Sequence, residues 1–224
     1  MSTYKISSLP ISGYGGEQLP NTYFNQTSQA LGLALILPGL RYTGSMPLLY
    51  YSTRMLLNHG LNVLVIDADY TRPTFQATPR LEQASWMVAD AQAALEVGQS
   101  DQVNPHLILI GKSIGTLTLA HLLNRGRVTL NASIWITPLL HHPNLVNAAM
   151  QCKDPALFVC GAADVTCDPS TLEHIRTNAA ITTFIADGAD HSLEVPDDVF
   201  RSLQNIIDYL KILDGFLTQA RHLD

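Results

Sequence analysis

The nine residues from Leu107 to Gly115, Leu-Ile-Leu-Ile-Gly-Lys-Ser-Ile-Gly, constrain the fold of this chain more than any other stretch. An apolar run of β character passes directly into Gly111-Lys112-Ser113-Ile114-Gly115, which is G-x-S-x-G. With no linker between them, a strand must turn at once into a helix, which leaves the central side chain, Ser113, on a strained and exposed corner. Glycine is required on both sides because a Cβ at either place would strike the neighbouring strand or helix. A helix starting at Ile114 also aims its unpaired N–H groups toward the serine, where a developing negative charge is stabilised. The embedded Gly-Lys-Ser is not a phosphate loop. That motif would need glycine where His106 stands, and the residues between are a β run rather than a flexible loop.

Around this centre the chain alternates strands with helices. Leu33 to Leu37 is a continuous apolar strand ending in Pro38-Gly39-Leu40, and Pro47 to His59 reads as a helix closed by Gly60. Asn62 to Asp67 is the next buried strand. A helix over Arg80 to Val97 places Leu81, Ala84, Val88, Ala91 and Leu95 at spacings of three and four. After Ser113 come a helix to Arg125 stopped by Gly126, a strand from Ala132 to Thr137, and a short helix over Asn144 to Met150. Pro155 to Cys160 is a strand, and the helix after it has Asp168 as N-cap and Pro169 at its first position. Ile181 to Ala186 is the last strand. A closing helix over Pro196 to Leu217 carries Val199, Leu203, Ile206, Ile207 and Leu210 on one face. Ahead of all this, the polar segments of residues 4 to 30 predict an antiparallel hairpin around Gly13-Tyr14-Gly15-Gly16 at the sheet edge. Repeated strand-helix units predict an α/β fold: a doubly wound, mostly parallel sheet with helices on both faces.

A chain of 224 residues, 46% hydrophobic and 14% charged, suits one well-buried domain over 1–224, with an edge hairpin in 1–30 and a core in 31–218. A net charge of −6 without any Lys/Arg run argues against a nucleic-acid or anionic-membrane surface. Met1 to Gly15 lacks an apolar core of signal-peptide length, and the longest apolar stretch, Leu31 to Leu40, is broken by Pro38, so a soluble cytoplasmic protein is expected. Cys152, Cys160 and Cys167 are odd in number and lack C-x-x-C spacing, which predicts free thiols. His141 and His142 are adjacent, with no carboxylate or thiolate at a zinc-site spacing, so no metal is expected.

In doubly wound sheets functional groups gather at the carboxyl ends of strands. Past the strand ending at Cys160 lies Gly161-Ala162-Ala163-Asp164, and past the last strand lies Gly188-Ala189-Asp190-His191. Ser113, Asp164 and His191 therefore follow in the order Ser…Asp…His, each just beyond a strand terminus. Asp168 is the rival acid, but it has a cap to make, and Asp190 reads as a turn former. Tyr42, Tyr70 and His141 follow strand ends and are expected to line the site. Lys112 is expected to lay its stem along apolar surface without taking part in the chemistry.

In these residues the chain resembles the α/β-hydrolase family in its small form without a lid, over about residues 30–218. The stretch Pro138-Leu139-Leu140-His141-His142-Pro143 and the pattern Gly161-x-Ala-Asp-x-x-Cys resemble a branch of hydrolase-like domains with testis-expressed and chromatin-complex relatives. The general layout is similar to bacterial carboxylesterases and dienelactone hydrolases. Dienelactone hydrolases proper use a cysteine where this chain has Ser113, and Pro38-Gly39 replaces the usual His-Gly before the oxyanion loop. The resemblance implies Ser113 as nucleophile, Asp164 as acid and His191 as general base, with oxyanion donors from the backbone N–H of Leu40 and Ile114. It implies hydrolysis of carboxylic esters through an acyl-enzyme and no cofactor, with thioesterase, peptidase and non-catalytic interaction roles open on the same fold. Only Pro138 to Asp154 separate two strands where lids are inserted in this family, so the expected partner is a small-molecule ester. The sequence leaves the oligomeric state undetermined.

Overall fold

The computed structural model describes residues 4–100, 106–124 and 130–220. The strands are β1 (Tyr4–Ser7), β2 (Asn21–Gln26), β3 (Gly32–Leu37), β4 (Asn62–Ile66), β5 (His106–Lys112), β6 (Ala132–Ile136), β7 (Ala156–Gly161) and β8 (Ile181–Ala186). The helices are α1 (Pro47–Asn58), α2 (Pro73–Gln76), α3 (Arg80–Gln99), α4 (Ile114–Asn124), α5 (Pro143–Gln151), α6 (Pro169–Ile175) and α7 (Val199–Ala220). The strands form one sheet in the order β1-β2-β4-β3-β5-β6-β7-β8, antiparallel at β1-β2 and β2-β4 and parallel from β4 through β8. The segment from β6 to β7 holds one short helix, α5, and no cap.

Alternation along the central strands divides the core in two. Leu33, Leu35, Leu37, Leu107 and Leu109 face one side, where Ala91, Leu95, Leu119, Leu145 and Leu172 from α3 to α6 cover them. Ala34, Ile36, Ile108 and Ile110 face the other, under Leu48, Leu56, Tyr209 and Leu213 from α1 and α7. Both faces of β3 and β5 are thus sealed, as a continuous apolar run in a parallel sheet requires.

The order reverses at β3: the chain steps outward to β4 and then crosses back to β5. The loops after β3 and β5 consequently diverge over a crevice between strands in register, Leu37 opposite Gly111. Functional groups in such sheets belong there.

Three expectations need correction. The two edge strands pair antiparallel as expected, but residues 8–20 between them form a long connection with a 3-10 turn at Tyr14–Gly16, not a tight hairpin. It is tied down by Asp90 of α3, whose Oδ1 accepts the Tyr14 N–H at 2.8 Å. On α3, Leu81 and Ala84 are exposed while Val88, Ala91 and Leu95 are buried, because the first turns line a groove. On α7 the buried face is Ile206, Tyr209, Leu213, Phe216 and Leu217, while Val199, Leu203 and Ile207 face solvent. The expected stop at Gly126 lies outside the described residues. Among the described residues no helix is long and apolar enough to cross a membrane.

Candidate active site

Ser113 stands between β5 and α4 with φ +53°, the left-handed region that a side-chain-bearing residue rarely adopts. The flanking glycines make this corner possible. A Cβ on Gly111 would lie 2.8 Å from the Gly115 carbonyl oxygen, and one on Gly115 would lie 2.3 Å from that of Leu37. Both obstacles are backbone and cannot rotate away. Gly39 plays the same part from the loop after β3, where an added Cβ would sit 3.3 Å from Ser113 Cβ. Gly39 and Tyr42 exchange backbone hydrogen bonds at 3.1 and 3.3 Å, which closes a tight turn with Leu40 and Arg41 at its tip, Arg41 at φ +60°.

The loops after β7 and β8 converge on the same spot. Ala162 and Ala163 donate their N–H groups to the carbonyls of Ala186 and Ala189 at 2.9 and 2.8 Å. Gly161 is what lets the two loops meet, since a Cβ there would fall 2.3 Å from the carbonyl oxygens of both Ala189 and Asp190. The result is one chain of hydrogen bonds: Ser113 Oγ is 2.8 Å from His191 Nε2, and His191 Nδ1 is 2.8 Å from Asp164 Oδ2. Asp164 is buried, whereas the His191 ring is 36% exposed at the mouth of the site.

Burial pushes the Asp164 carboxyl up, but bonds from His191 and from the Thr166 N–H and hydroxyl outweigh it and hold the group below the usual carboxylate range. Thr166, which the sequence did not single out, also lies 3.1 Å from His191 Nδ1. Asp168 is occupied elsewhere, capping α6 by accepting from the Thr171 N–H at 2.7 Å and from the hydroxyls of Ser170 and Thr171. Asp190 accepts from the N–H groups of Ser192 and Glu194, which makes it a turn former.

Solved structures share this architecture. An esterase of Pyrococcus furiosus superposes with a TM-score of 0.73 at 14% identity, over 96% of this chain and 93% of that one. An α/β serine hydrolase without a lid from Xanthomonas campestris gives 0.71 at 15% identity, over 96% and 94% of the two chains. The chain has the α/β-hydrolase fold, without a cap. A dienelactone hydrolase of Anabaena variabilis matches it at 0.73 and 16% identity, over 97% and 99%. No family model and no curated protein matches the sequence, so the likeness is one of three-dimensional form.

In this α/β-hydrolase fold a groove of about 1120 Å³ runs from Leu40 and Ile114 between α2, α3, α4 and α5. Its walls include Phe75, Met87, Val88, Leu117, Leu139 and Leu145. Among the described residues no carboxylate lines it, whereas Arg80, His121 and His142 do. Burial holds the His142 imidazole below its ordinary pKa, helped by the nearby His141 and Arg80.

Of the three residues expected along this rim, none lines the groove. Tyr42 is buried, its hydroxyl accepting the Leu48 N–H at 3.0 Å as part of the turn that carries Leu40. Tyr70 is buried behind Phe75 and donates to Asp90 Oδ2 at 3.0 Å. His141 faces a separate shallow hollow with Val146 and His174, while its neighbour His142 turns into the groove. The signal missed was Pro73, a helix-starting residue soon after β4 that builds α2 and brings Phe75 over the crevice. Lys112 also departs from expectation, because its ammonium is buried along with its stem.

Proposed function

We propose that this protein is a serine hydrolase that cleaves small carboxylic esters through an acyl-enzyme on Ser113. The observation that carries the reading is the continuous chain from Ser113 Oγ through His191 to Asp164, both links at 2.8 Å, with the serine held on a strained corner. With Nδ1–H donated to Asp164, His191 presents its Nε2 lone pair to the serine hydroxyl. Ser113 Oγ attacks the ester carbonyl as His191 takes its proton. The oxyanion is met by the N–H of Ile114 at the start of α4 and of Leu40 on the neighbouring turn. His191 then gives its proton to the leaving alkoxide, accepts one from water as the hydroxide attacks the acyl carbonyl, and returns that proton to Ser113 Oγ as the acid leaves. Asp164 stays ionised throughout and stabilises the imidazolium.

A fluorophosphonate tests this directly, because only a base-activated serine attacks it. The wild type is expected to take one phosphonate on the peptide containing Ser113, and Ser113→Ala none. Equal labelling of the two would end the reading.

The approach of the base loop gives a second expected result. Gly161→Ala puts a methyl against two carbonyl oxygens that must give way, and those carbonyls lead directly into His191. Displacing a catalytic group by about 1 Å costs on the order of 10² in rate, and overpacking costs about 1–3 kcal/mol. Hydrolysis of an aryl acetate and a urea titration read the two effects separately. Unchanged kcat in the folded variant would show that the loops need not meet so closely.

A further inference from the structure

Lys112 is the one side chain of the motif that the chemistry above leaves unused. It is 1% exposed, although lysine is almost never fully buried unless paired. Its ammonium is met by neutral partners. Nζ donates to Thr137 Oγ1 at 2.6 Å and to the carbonyl oxygen of His191 at 2.8 Å, and it lies 4.7 Å from the centroid of the Tyr42 ring. A buried cation without a contact carboxylate costs stability that an apolar side chain of the same length would not.

The partners suggest what that charge does. Thr137 follows β6, Tyr42 stands in the loop after β3, and His191 in the loop after β8. From the residue next to Ser113, one ammonium thus ties together three of the loops that form the site. The His191 ring reaches Ser113 Oγ while its own carbonyl is held by Lys112, so the base is fixed to the serine corner at two points. We propose that Lys112 is a positioning residue: its ammonium holds the main chain of His191 so that Nε2 stays on Ser113 Oγ. This rests on the reading of Ser113 and His191 as nucleophile and base.

Burial lowers the Lys112 pKa to about 8, partly offset by the carboxylates of Asp164 and Asp190, which face it from the loops after β7 and β8. The Tyr42 phenol, pushed up to about 12 by burial, stays neutral in that range. His191 completes the titratable groups packed against the ammonium. Above about pH 8 the bond to the His191 carbonyl loses its charge assistance, and the hold on the base weakens.

The test compares Lys112→Met and Thr137→Val with wild type by ester hydrolysis, melting temperature and the pH dependence of fluorophosphonate labelling. Lys112→Met is expected to lower kcat about 10- to 100-fold with KM within about two-fold, as a slackened base would. Its melting temperature should be equal or higher, and the fall in labelling rate expected of the wild type above about pH 8 should vanish. Thr137→Val keeps the lysine and the volume but removes one acceptor from the ammonium, so its alkaline fall should move to lower pH. That shift carries the test even where the methionine variant does not fold. Wild-type rates in Lys112→Met, losses that merely follow a lower melting temperature, an alkaline fall that survives in Lys112→Met, or one that stays in place in Thr137→Val would each overturn the proposal. A wild type that labels no faster than Ser113→Ala would instead sink the hydrolase reading, and this one with it.

Discussion

Alanine at Ser113, at His191 or at both is expected to cost the same, about 10⁶ in kcat on an aryl acetate. The three variants should be level because the two side chains act as one unit. A serine hydroxyl without a base is a poor nucleophile, and an imidazole that has lost the hydroxyl 2.8 Å from its Nε2 has no proton to take. What remains should be about 10³–10⁴ above the uncatalysed rate, from the proposed oxyanion donors and the groove that contains Leu40 and Ile114. Ser113→Ala keeps a Cβ at φ +53°, so the strain at the corner is unchanged and the variant should fold. The assay is a long progress curve at high enzyme concentration with the buffer rate subtracted. Additive losses in the double variant, or a His191→Ala enzyme within about 10² of wild type, would place the proton acceptor elsewhere.

The residues that were legible in the sequence are those whose role is local. Gly111, Ser113 and Gly115 sit in a fixed steric relation to one strand-helix corner, and the obstacles at 2.8 and 2.3 Å are the ones that the motif implies. Asp168 and Pro169 announce a helix start because a cap is satisfied within three residues. Strand and helix order followed from periodicity, and the positions of Asp164 and His191 from strand ends. What was not legible depends on contacts between distant segments. Tyr42 and Tyr70 follow strand ends as rim residues would, but their hydroxyls are used internally by Leu48 and Asp90. Leu81 and Ala84 have helical core spacing, yet they are exposed and form groove wall instead. Lys112 reads as a surface lysine with a packed stem because nothing in the sequence announces that the His191 carbonyl and the Thr137 hydroxyl meet beneath it.

The choice of acid gives the second large effect, and it separates two aspartates only four positions apart in the chain. Asp164→Asn should lower kcat by roughly 10³ to 10⁴. The amide keeps the shape but presents an N–H or an uncharged oxygen to His191 Nδ1, so the ring is held in the wrong tautomer or left without a counter-charge for the imidazolium. Asp168→Ala should leave kcat within about two-fold and lower the melting temperature, because it removes the cap on the Thr171 N–H and nothing near the serine. Asp164 is held below the usual carboxylate pKa in the folded protein, so the stability it contributes is present above about pH 4 and is lost as pH falls through its lowered value. Asp164→Asn should therefore flatten the acid limb of a stability-against-pH curve in that window. Kinetics of the two variants at neutral pH, with urea titrations from neutral to acid pH, give both readouts. Loss of chemistry in Asp168→Ala with kcat preserved in Asp164→Asn would move the acid of the site to Asp168.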